Sequence, residues 1–314
     1  MRILVTGGMG YLGQPLVAEL SKSNEVVVLD SLVYARGFVP QLYRPDVQLI
    51  VGDIRDQSVV ELAMRDVDFV YNLAALVGEA ACRADHVRSE AVNVEGLRVV
   101  AGAAARRNAP LVSMSTCSVL DHAQHGASSE RDISIYARQK LAGEQAVREI
   151  EQASGWIVRL ASLFGFAPRH RLDLVINSLC YAAALGRPLS LFGSGSEIRP
   201  FISVNDAAAV LSALTRWECP KGVETIYVGR EQQNLTIAEV ARAISSVSGA
   251  IIARTDYRDI SDRRSYRVAF PNEKAFPTQS IAETFDSQIS DLIIRSRDVR
   301  TAFSTTNSPT SIET

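Results

Sequence analysis

The run IYARQKLAGEQAV, residues 135–147, contains the pair of side chains best suited to chemistry, Tyr136 and Lys140. They are four residues apart, so a helix would present both on one face. A cationic Lys140 would lower the pKa of a nearby phenol from about 10 toward neutrality, and Tyr136 could then take a proton from a hydroxyl. Taken alone, the pattern also fits an ordinary amphipathic helix.

Two hydroxyl residues end the strand-like run that precedes this helix. The run PLVSMST finishes on Ser115 and Thr116. In a β-α repeat the strand end and the helix carrying Tyr136 meet at the carboxyl edge of the sheet. We therefore expect a hydroxyl, a phenol and an ammonium group to converge there. The alternative for Thr116 is a strand-end hydroxyl that only caps the backbone.

The N-terminal run RILVTGGMGYLGQPL joins a buried strand, Arg2 to Thr6, to a helix that is predicted from Tyr11 onward. The turn contains two overlapping spacings, G-x-G-x-x-G and G-x-x-G-x-x-G, formed by Gly7, Gly8, Gly10 and Gly13. Backbone N–H groups and a helix N-terminus at such a turn suit a pyrophosphate, which indicates a dinucleotide. A glycine turn selected only for tight packing is the alternative.

The next strand-like run, EVVVL, ends on Asp30, about 20 residues after the glycines. A carboxylate there can accept hydrogen bonds from both ribose hydroxyls of an adenosine, and it would repel a 2′-phosphate. The position therefore favours NAD over NADP. A turn or capping role is the alternative for Asp30.

Strand-like and helix-like runs alternate along the first half of the chain. VQLIVGD precedes a helix from Gln57 to Met64, DFVYNLAA precedes Glu90 to Arg107, PLVSMST precedes Ile135 to Ile150, and WIVRLA follows. This repeat predicts an α/β fold, a Rossmann-like doubly wound parallel sheet with right-handed crossovers.

The alternation stops near the run PRHRLDL, where a smaller, interleaved C-terminal substrate-binding domain is expected to begin. We predict a dinucleotide-binding domain over residues 1–165, to which residues 203–228 return. The substrate-binding domain would comprise 166–202 and 229–300. The polar run STTNSPTSIET makes residues 301–314 a predicted disordered tail.

Composition favours a cytoplasmic enzyme. The 314 residues are 47% hydrophobic and 22% charged, with a formal net charge of −2, so there is ample chain for a large core. No basic block indicates nucleic acid, no apolar run approaches the roughly 18 residues of a membrane span, and the start does not look like a signal peptide. Four cysteines without C-x-x-C spacing predict reduced thiols and no metal site: Cys82, Cys117, Cys180 and Cys219.

Together these features resemble the extended short-chain dehydrogenase/reductase family, in its NAD-dependent nucleotide-sugar epimerase/dehydratase branch. The resemblance covers roughly residues 1–295 and its motifs occur in the right order. They are TGGMGYLG, the strand-end Asp30, GDIRD at 52–56, NLAA at 72–75, Asn93 in VNVEG, STCSV at 115–119, YARQK at 136–140, RLASLFG at 159–165 and RPFISVNDAA at 199–208.

The resemblance implies NAD as the cofactor. Tyr11 and Leu12 would line its diphosphate, Asp53 and Ile54 would edge its adenine, and Asn93 would order the cofactor side of the cleft. From local sequence alone, Asp53 could equally cap the helix that follows it. The implied cofactor-binding residues are Gly7, Gly10, Tyr11, Leu12, Gly13, Asp30, Asp53, Ile54, Leu73, Ala74, Ala75, Asn93, Tyr136 and Lys140.

The resemblance also implies a catalytic set of Thr116, Tyr136 and Lys140, in which Thr116 hydrogen-bonds the sugar hydroxyl that Tyr136 deprotonates. The implied substrate-binding residues are Thr116, Asn177, Arg199 and Arg264. A surface arginine is the alternative for Arg199. We interpret His170 as a solvated loop histidine rather than a catalytic one.

Several positions depart from the family pattern. Sugar 4,6-dehydratases carry an Asp-Glu pair where this chain has Cys117-Ser118, which argues against that elimination. We expect Cys117 to pack under the sugar; an acid/base role is the alternative. The family's V-Y-G is replaced by Val119-Leu120-Asp121, and Ser162 stands where many members have Asn, so the sugar is undetermined.

The sequence therefore predicts an NAD-dependent epimerase acting on a nucleotide-diphosphate sugar at C4 through a transient 4-keto intermediate. A nucleotide-sugar 4-keto reductase is the first alternative, a 4,6-dehydratase the second and a non-enzymatic NAD-binding protein the third. A homodimer is expected, paired through the helices at 90–107 and 135–150, whose alanines permit close approach. Internal packing is the alternative role of those alanines.

Overall fold

The computed structural model describes residues 1–34, 46–121, 134–255, 264–273, 276 and 284–298. The tail predicted at 301–314 lies outside these residues. The described strands are β1 Arg2–Thr6, β2 Glu25–Asp30, β3 Gln48–Val51, β4 Phe69–Asn72, β5 Leu111–Thr116, β6 Gly155–Leu160, β7 Ser162–Phe164, β8 Leu189–Phe192, β9 Ile198–Ser203, β10 Val223–Val228, β11 Asn234–Thr236 and β12 Ile252–Thr255.

The described α-helices are α1 Gly13–Leu20, α2 Gln57–Ala63, α3 Glu79–Ala84, α4 His86–Glu90, α5 Leu97–Arg106, α6 Ile135–Arg148, α7 Val175–Ala184, α8 Val204–Ala213, α9 Ile237–Ser248 and α10 Phe285–Asp298. A π-helical turn, Ala91–Gly96, joins α4 to α5, and short 3₁₀ turns lie at Leu214–Arg216 and Glu231–Gln233. No described helix combines the length and apolar character that a bilayer crossing requires.

The main sheet has the order β3-β2-β1-β4-β5-β6-β10, and each neighbouring pair in it is parallel. The predicted Rossmann-like doubly wound fold is confirmed. β1 lies at the centre, and its apolar run has both faces covered, with Ile3, Leu4 and Val5 fully buried. The strand order reverses between β1 and β4, so a crevice opens at their carboxyl ends, where open α/β sheets bind ligands.

Helices cover both faces of this sheet. α1 and α8 pack together on one face, and α2, α5 and α6 cover the other. Tyr266, Val268 and Phe270 bury their side chains in the core of the first face, although the predicted domain division assigns them to the substrate-binding domain.

The alanines expected at a dimer contact lie mostly inside the chain. Ala101, Ala103, Ala104 and Ala105 of α5 and Ala137 of α6 are at most 7% exposed. Their small side chains let the two helices approach the sheet and each other. These alanines therefore have the internal packing role that the sequence left open as the alternative to a dimer contact.

A third apolar cluster lies apart from the main sheet. It combines α7, α9 and α10 with β8 and β9, around buried side chains that include Phe164, Ile176, Phe201 and Ile289. Two small sheets, β11-β9-β7 and β12-β8, accompany it. This part of the chain supplies Arg199 to the cavity described next. The exact division into two domains stays a prediction.

Candidate functional site

A cavity of about 320 Å³ lies at the carboxyl ends of the parallel strands. It brings together residues from widely separated parts of the sequence. Of the predicted site residues, it is lined by Gly7, Gly10, Tyr11, Leu12, Gly13, Asp30, Asp53, Ile54, Leu73, Ala74, Ala75, Thr116, Tyr136, Lys140, Arg199 and Arg264. Asn93 and Asn177 do not line it.

The glycine turn is held by close backbone approaches. Gly7 has a φ of +70°, and a Cβ there would lie 2.7 Å from the backbone nitrogen of Ala74; a Cβ on Gly13 would lie 2.4 Å from the carbonyl oxygen of Gly7. Packing therefore explains these two glycines. Within the described chain, the N–H groups of Tyr11 and Leu12 donate to no protein acceptor. Because they border the cavity, the turn fits an anionic diphosphate.

Asp30, at the end of β2, lines the cavity beside the glycine turn and binds its backbone at Met9. Its Oδ2 accepts from the N–H of Met9 at 3.0 Å and its Oδ1 from the N–H of Leu32 at 2.8 Å, so the turn role left open by the sequence is present. Each oxygen keeps further acceptor capacity toward the cavity. Burial raises the pKa of this carboxyl, while the nearby charge of Arg169 lowers it. The site fits the ribose hydroxyls of an adenosine.

Asp53 lines the cavity without capping the helix after it. Asp56 caps α2 instead, with its Oδ1 accepting from the N–H groups of Ser58 and Val59. Asp53 accepts from the Arg55 guanidinium through both oxygens, at 3.0 and 2.7 Å. That pairing is the first cause of its lowered pKa. The capping alternative for Asp53 is wrong.

Asn93 and Asn177, which do not line the cavity, form hydrogen bonds inside the protein. Asn93, in the π turn, accepts from the N–H of Leu76 at 2.8 Å and donates to the Leu76 carbonyl and to Gln139, each at 2.9 Å. Asn177 accepts from the N–H of Gly165 at 2.9 Å. Asn93 thus orders the cavity wall indirectly, and Asn177 is fully buried outside the cavity lining.

Tyr136 and Lys140 lie in the first two turns of α6, at the wall of the cavity, and each is 9% exposed. Ser134 caps this helix by accepting from the N–H of Ala137 at 3.1 Å. The Lys140 ammonium donates to the carbonyl oxygen of Met114 in β5 at 2.9 Å and lies 5.8 Å from the Tyr136 ring centroid. The strand and the helix therefore fix the two side chains relative to each other.

Burial shifts the pKa values of Tyr136 and Lys140 away from those of exposed side chains. It raises the pKa of the Tyr136 phenol above its usual value, and the charges of Arg171 and Arg264 only partly oppose this. Burial also lowers the pKa of Lys140 to about 8, against the opposing influence of Cys82 and Glu144. Burial thus opposes the lowering of the phenol pKa that the sequence predicts from Lys140.

The lowered pKa of Lys140 can be measured directly, because the chain has four lysines: Lys22, Lys140, Lys221 and Lys274. With ¹³C-labelled lysine, one Cε resonance of the NAD-free protein should titrate with a midpoint near 8. That resonance should be missing from Lys140→Met. The ammonium is lost as the pH rises through this midpoint, so a value near the ordinary 10.4 would contradict the burial argument.

A buried ion pair between Glu144 and Arg159 supports the part of the cavity wall that α6 forms. Glu144 of α6 accepts from the Ser115 hydroxyl at 2.6 Å and from the Arg159 guanidinium at 2.9 and 2.8 Å. Arg159 also donates to the Tyr227 hydroxyl at 2.9 Å. These contacts tie α6 to β5, β6 and β10, so Tyr136 and Lys140 rest on a rigid base.

Thr116 and Ser118 both line the cavity at the end of β5. The Thr116 hydroxyl donates to the Ser118 hydroxyl at 3.0 Å and accepts from the Ser118 N–H at 3.1 Å, so it also has the capping role. Cys117 points the opposite way, into the core, where its thiol donates to the Arg159 carbonyl at 3.2 Å. Burial raises the pKa of that thiol, and Cys117 does not line the cavity; both observations argue against an acid/base role.

Residues 165–174, here named the crossing segment, supply cavity residues that sequence reasoning missed. Arg169 and Arg171 line the cavity, and Arg171 forms an ion pair with Asp173. His170 is 1% exposed, so its interpretation as a solvated loop histidine is wrong: an apolar pocket encloses the ring. The alternating run R-H-R was the available signal for two inward arginines.

Among the described residues, no group of three or more His, Cys, Asp or Glu side chains is arranged to hold a metal ion.

The sequence of this chain is similar to those of several known proteins. A sequence model described as the NAD dependent epimerase/dehydratase family matches residues 3–229. The chain is 30% identical over 265 residues to the low-salt glycan biosynthesis protein Agl12 of Haloferax volcanii, covering 80% of this chain and 84% of that protein. It is 27% identical over 315 residues to UDP-glucuronic acid decarboxylase 1 of Arabidopsis thaliana, covering 93% and 69% of the two chains.

The fold is also similar to that of a solved structure. The crystal structure of UDP-glucuronic acid 4-epimerase from Bacillus cereus, in complex with UDP-glucuronic acid and NAD, superposes with a TM-score of 0.82 at 21% identity. The match covers 96% of this chain and all of that one. At this identity, the similarity concerns the fold.

Proposed function

This chain belongs to the NAD-dependent epimerase/dehydratase family, and we propose that it is an epimerase that inverts C4 of a nucleotide-diphosphate sugar. The observation that carries the proposal is a single cavity. It contains the glycine turn and Asp30, the trio of Thr116, Tyr136 and Lys140, and several arginines, among them Arg199 and Arg264. One cavity can thus hold a dinucleotide and a second, anionic ligand together.

Bound NAD supplies a hydride acceptor and a positively charged nicotinamide ring. In this proposal Tyr136 acts as a phenolate, a form that the positive charges of Lys140 and of the bound nicotinamide ring would favour. Its oxygen takes the proton of the C4 hydroxyl and later returns it. Thr116 holds that hydroxyl by a hydrogen bond. Lys140, fixed by the Met114 carbonyl, contributes positive charge beside the phenol and a donor for the nicotinamide ribose.

Arg199 and Arg264 are proposed to bind the diphosphate of the substrate, since guanidinium groups match phosphate oxygens. Arg199 is 8% exposed and lies with its guanidinium carbon 5.7 Å from the Tyr266 ring centroid, so it belongs to the cavity wall and not to the outer surface. Asn177 has no place in this proposal, because it is buried outside the cavity.

The same residues would serve a 4-keto reductase, which makes it the main rival. A 4,6-dehydratase is less well supported, because the positions of its acidic pair hold a buried thiol and a hydroxyl, Cys117 and Ser118. A non-enzymatic NAD-binding protein would have no need for the Thr116, Tyr136 and Lys140 set.

An isotope experiment on a panel of nucleotide sugars tests the proposal. Purified protein without added cofactor should interconvert one C4-epimeric pair, with no accumulating absorbance of reduced nicotinamide. Deuterium placed on C4 of the substrate should remain on C4 of the product, because each hydride returns to the sugar that released it.

Other outcomes would select other reactions. Consumption of a 4-keto sugar with stoichiometric NADH or NADPH, and deuterium entering from the cofactor, would identify the reductase. Loss of water with a 4-keto-6-deoxy product would identify the dehydratase, and release of CO₂ from a uronic acid would identify a decarboxylase. Any of the three would replace the epimerase.

A cytoplasmic homodimer is part of the same proposal. All four cysteines are free thiols, as suits a reducing compartment. Pairing would use the outward faces of α5 and α6, where Ala142 is exposed.

A further inference from the structure

We propose that Arg169 binds the diphosphate of NAD, so that the crossing segment covers the cofactor and holds it between turnovers. The inference rests on the proposed NAD site. It assigns to this segment a cofactor contact on the side opposite the glycine turn.

The crossing segment is tied to Tyr11 of the glycine turn at two points, directly at Gly165 and through Asn177 at Arg171. The Tyr11 hydroxyl donates to the carbonyl oxygen of Gly165 at 2.6 Å. Asn177 donates to the Tyr11 hydroxyl at 3.1 Å and to the carbonyl oxygen of Arg171 at 2.9 Å. The segment therefore cannot move far from Tyr11, the residue whose N–H faces the expected diphosphate.

His170 anchors the middle of the segment. Its ring stacks on Phe166, with centroids 5.4 Å apart, and meets the Tyr11 ring edge-on at 6.5 Å. Burial lowers the pKa of this imidazole to about 4, so it is a neutral packing group at physiological pH. With His170 held in this apolar pocket, its two neighbours are available to line the cavity, as Arg169 and Arg171 do.

Arg169 lies on the adenosine side of the cavity. It is 8% exposed, and its guanidinium carbon lies 4.4 Å from the Tyr34 ring centroid, with Asp30 close enough for its charge to be felt. Stacking on Tyr34 fixes the plane of the guanidinium. Arg171 lies toward the reacting end, since its charge acts on Tyr136.

The two guanidinium groups are close enough to repel each other. Burial and the charge of Arg171 lower the pKa of Arg169 to about 10, although Tyr34, Asp173 and Asp30 oppose this. An anion bound beside them would relieve the repulsion. A diphosphate brings two negative charges to this cavity, and the N–H groups of Tyr11 and Leu12 supply its opposite side. A 2′-phosphate is disfavoured by the Asp30 carboxylate.

Binding of three probes to cofactor-stripped protein tests the assignment. NAD and ADP-ribose contain the diphosphate, and adenosine does not. Arg169→Met should weaken NAD and ADP-ribose by about 10- to 100-fold, the scale of a lost charge-assisted hydrogen bond, and leave adenosine within about 2-fold. Calorimetric titration gives the affinities, and the NAD content of freshly purified protein should fall in parallel. Arg187→Met, at an exposed position outside the cavity, is the matched control and should behave as wild type.

Equal NAD affinity in wild type and Arg169→Met would overturn the inference, and so would an equal loss for adenosine. If Arg169→Met lowers the unfolding temperature of the stripped protein, Arg169→Lys decides. It keeps the charge, so NAD should bind more tightly to it than to the Met variant, and binding as weak as in the Met variant would reject the diphosphate contact. A wild-type protein that binds no dinucleotide would instead refute the proposed function.

Discussion

Tyr136→Phe is expected to lower turnover by about 100-fold or more while NAD affinity and the unfolding temperature stay close to wild type. The change removes one hydroxyl, the proposed base, and a lost general base costs on the order of 10²- to 10⁴-fold. The ring remains to fill its place beside Lys140. Turnover on the active sugar pair, NAD titration and thermal unfolding are the three measurements.

Tyr71→Phe is the matched control for this experiment. Tyr71 is fully buried in β4, and its hydroxyl donates to the carbonyl oxygen of Leu211 at 2.7 Å, away from the cavity. This variant should lose about 1 kcal/mol of unfolding free energy and keep its turnover. If Tyr136→Phe turned over normally, Tyr136 would not be the base.

Gly13→Ala is expected to abolish NAD retention and to lower the free energy of unfolding by about 2 kcal/mol or more. Its Cβ would lie 2.4 Å from the carbonyl oxygen of Gly7 and 2.7 Å from backbone atoms of Gly8, so the turn itself must shift. A shifted turn moves the N–H groups that face the cavity. Chemical denaturation and the NAD content of the purified protein measure the two effects.

Gly102→Ala isolates the effect of the turn from the general effect of replacing a helical glycine. Gly102 lies within α5, and its added Cβ would meet only the Arg106 guanidinium, at 3.4 Å. Alanine suits a helix better than glycine, so this variant should gain about 0.5–1 kcal/mol. Equal behaviour of the two variants would remove the steric argument for Gly13.

Local sequence patterns predicted those strands, turns and helices whose formation depends on neighbouring residues in the chain. The β-branched runs of β1 and β2, the glycine turn between β1 and α1, and the strand-end Asp30 follow from short stretches whose backbone preferences and burial pattern agree. The same holds for Tyr136 and Lys140, because four-residue spacing on a helix determines a shared face. With the β-α alternation, these patterns determined the fold class and which residues meet at the carboxyl edge.

Other features depend on contacts between distant parts of the chain. Asp56, not Asp53, caps α2, and Asn177 turns toward Tyr11 and Gly165 instead of the cavity. Either orientation is compatible with the local sequence, since the partners are supplied by elements far away in the chain. Only the tertiary structure could decide between them.

Burial is the property that the sequence by itself left undetermined. PRHRLDL reads as a polar loop, yet the fold encloses His170 between aromatic rings and lines the cavity with Arg169 and Arg171. Likewise, the four-residue spacing of Tyr136 and Lys140 predicted that the two side chains lie close together, but it did not predict their pKa values. A pKa depends on how much water the assembled structure removes from a group, and for both residues that desolvation outweighs the influence of neighbouring charges. The sequence determined which groups meet; the tertiary structure determined their solvation and therefore their protonation.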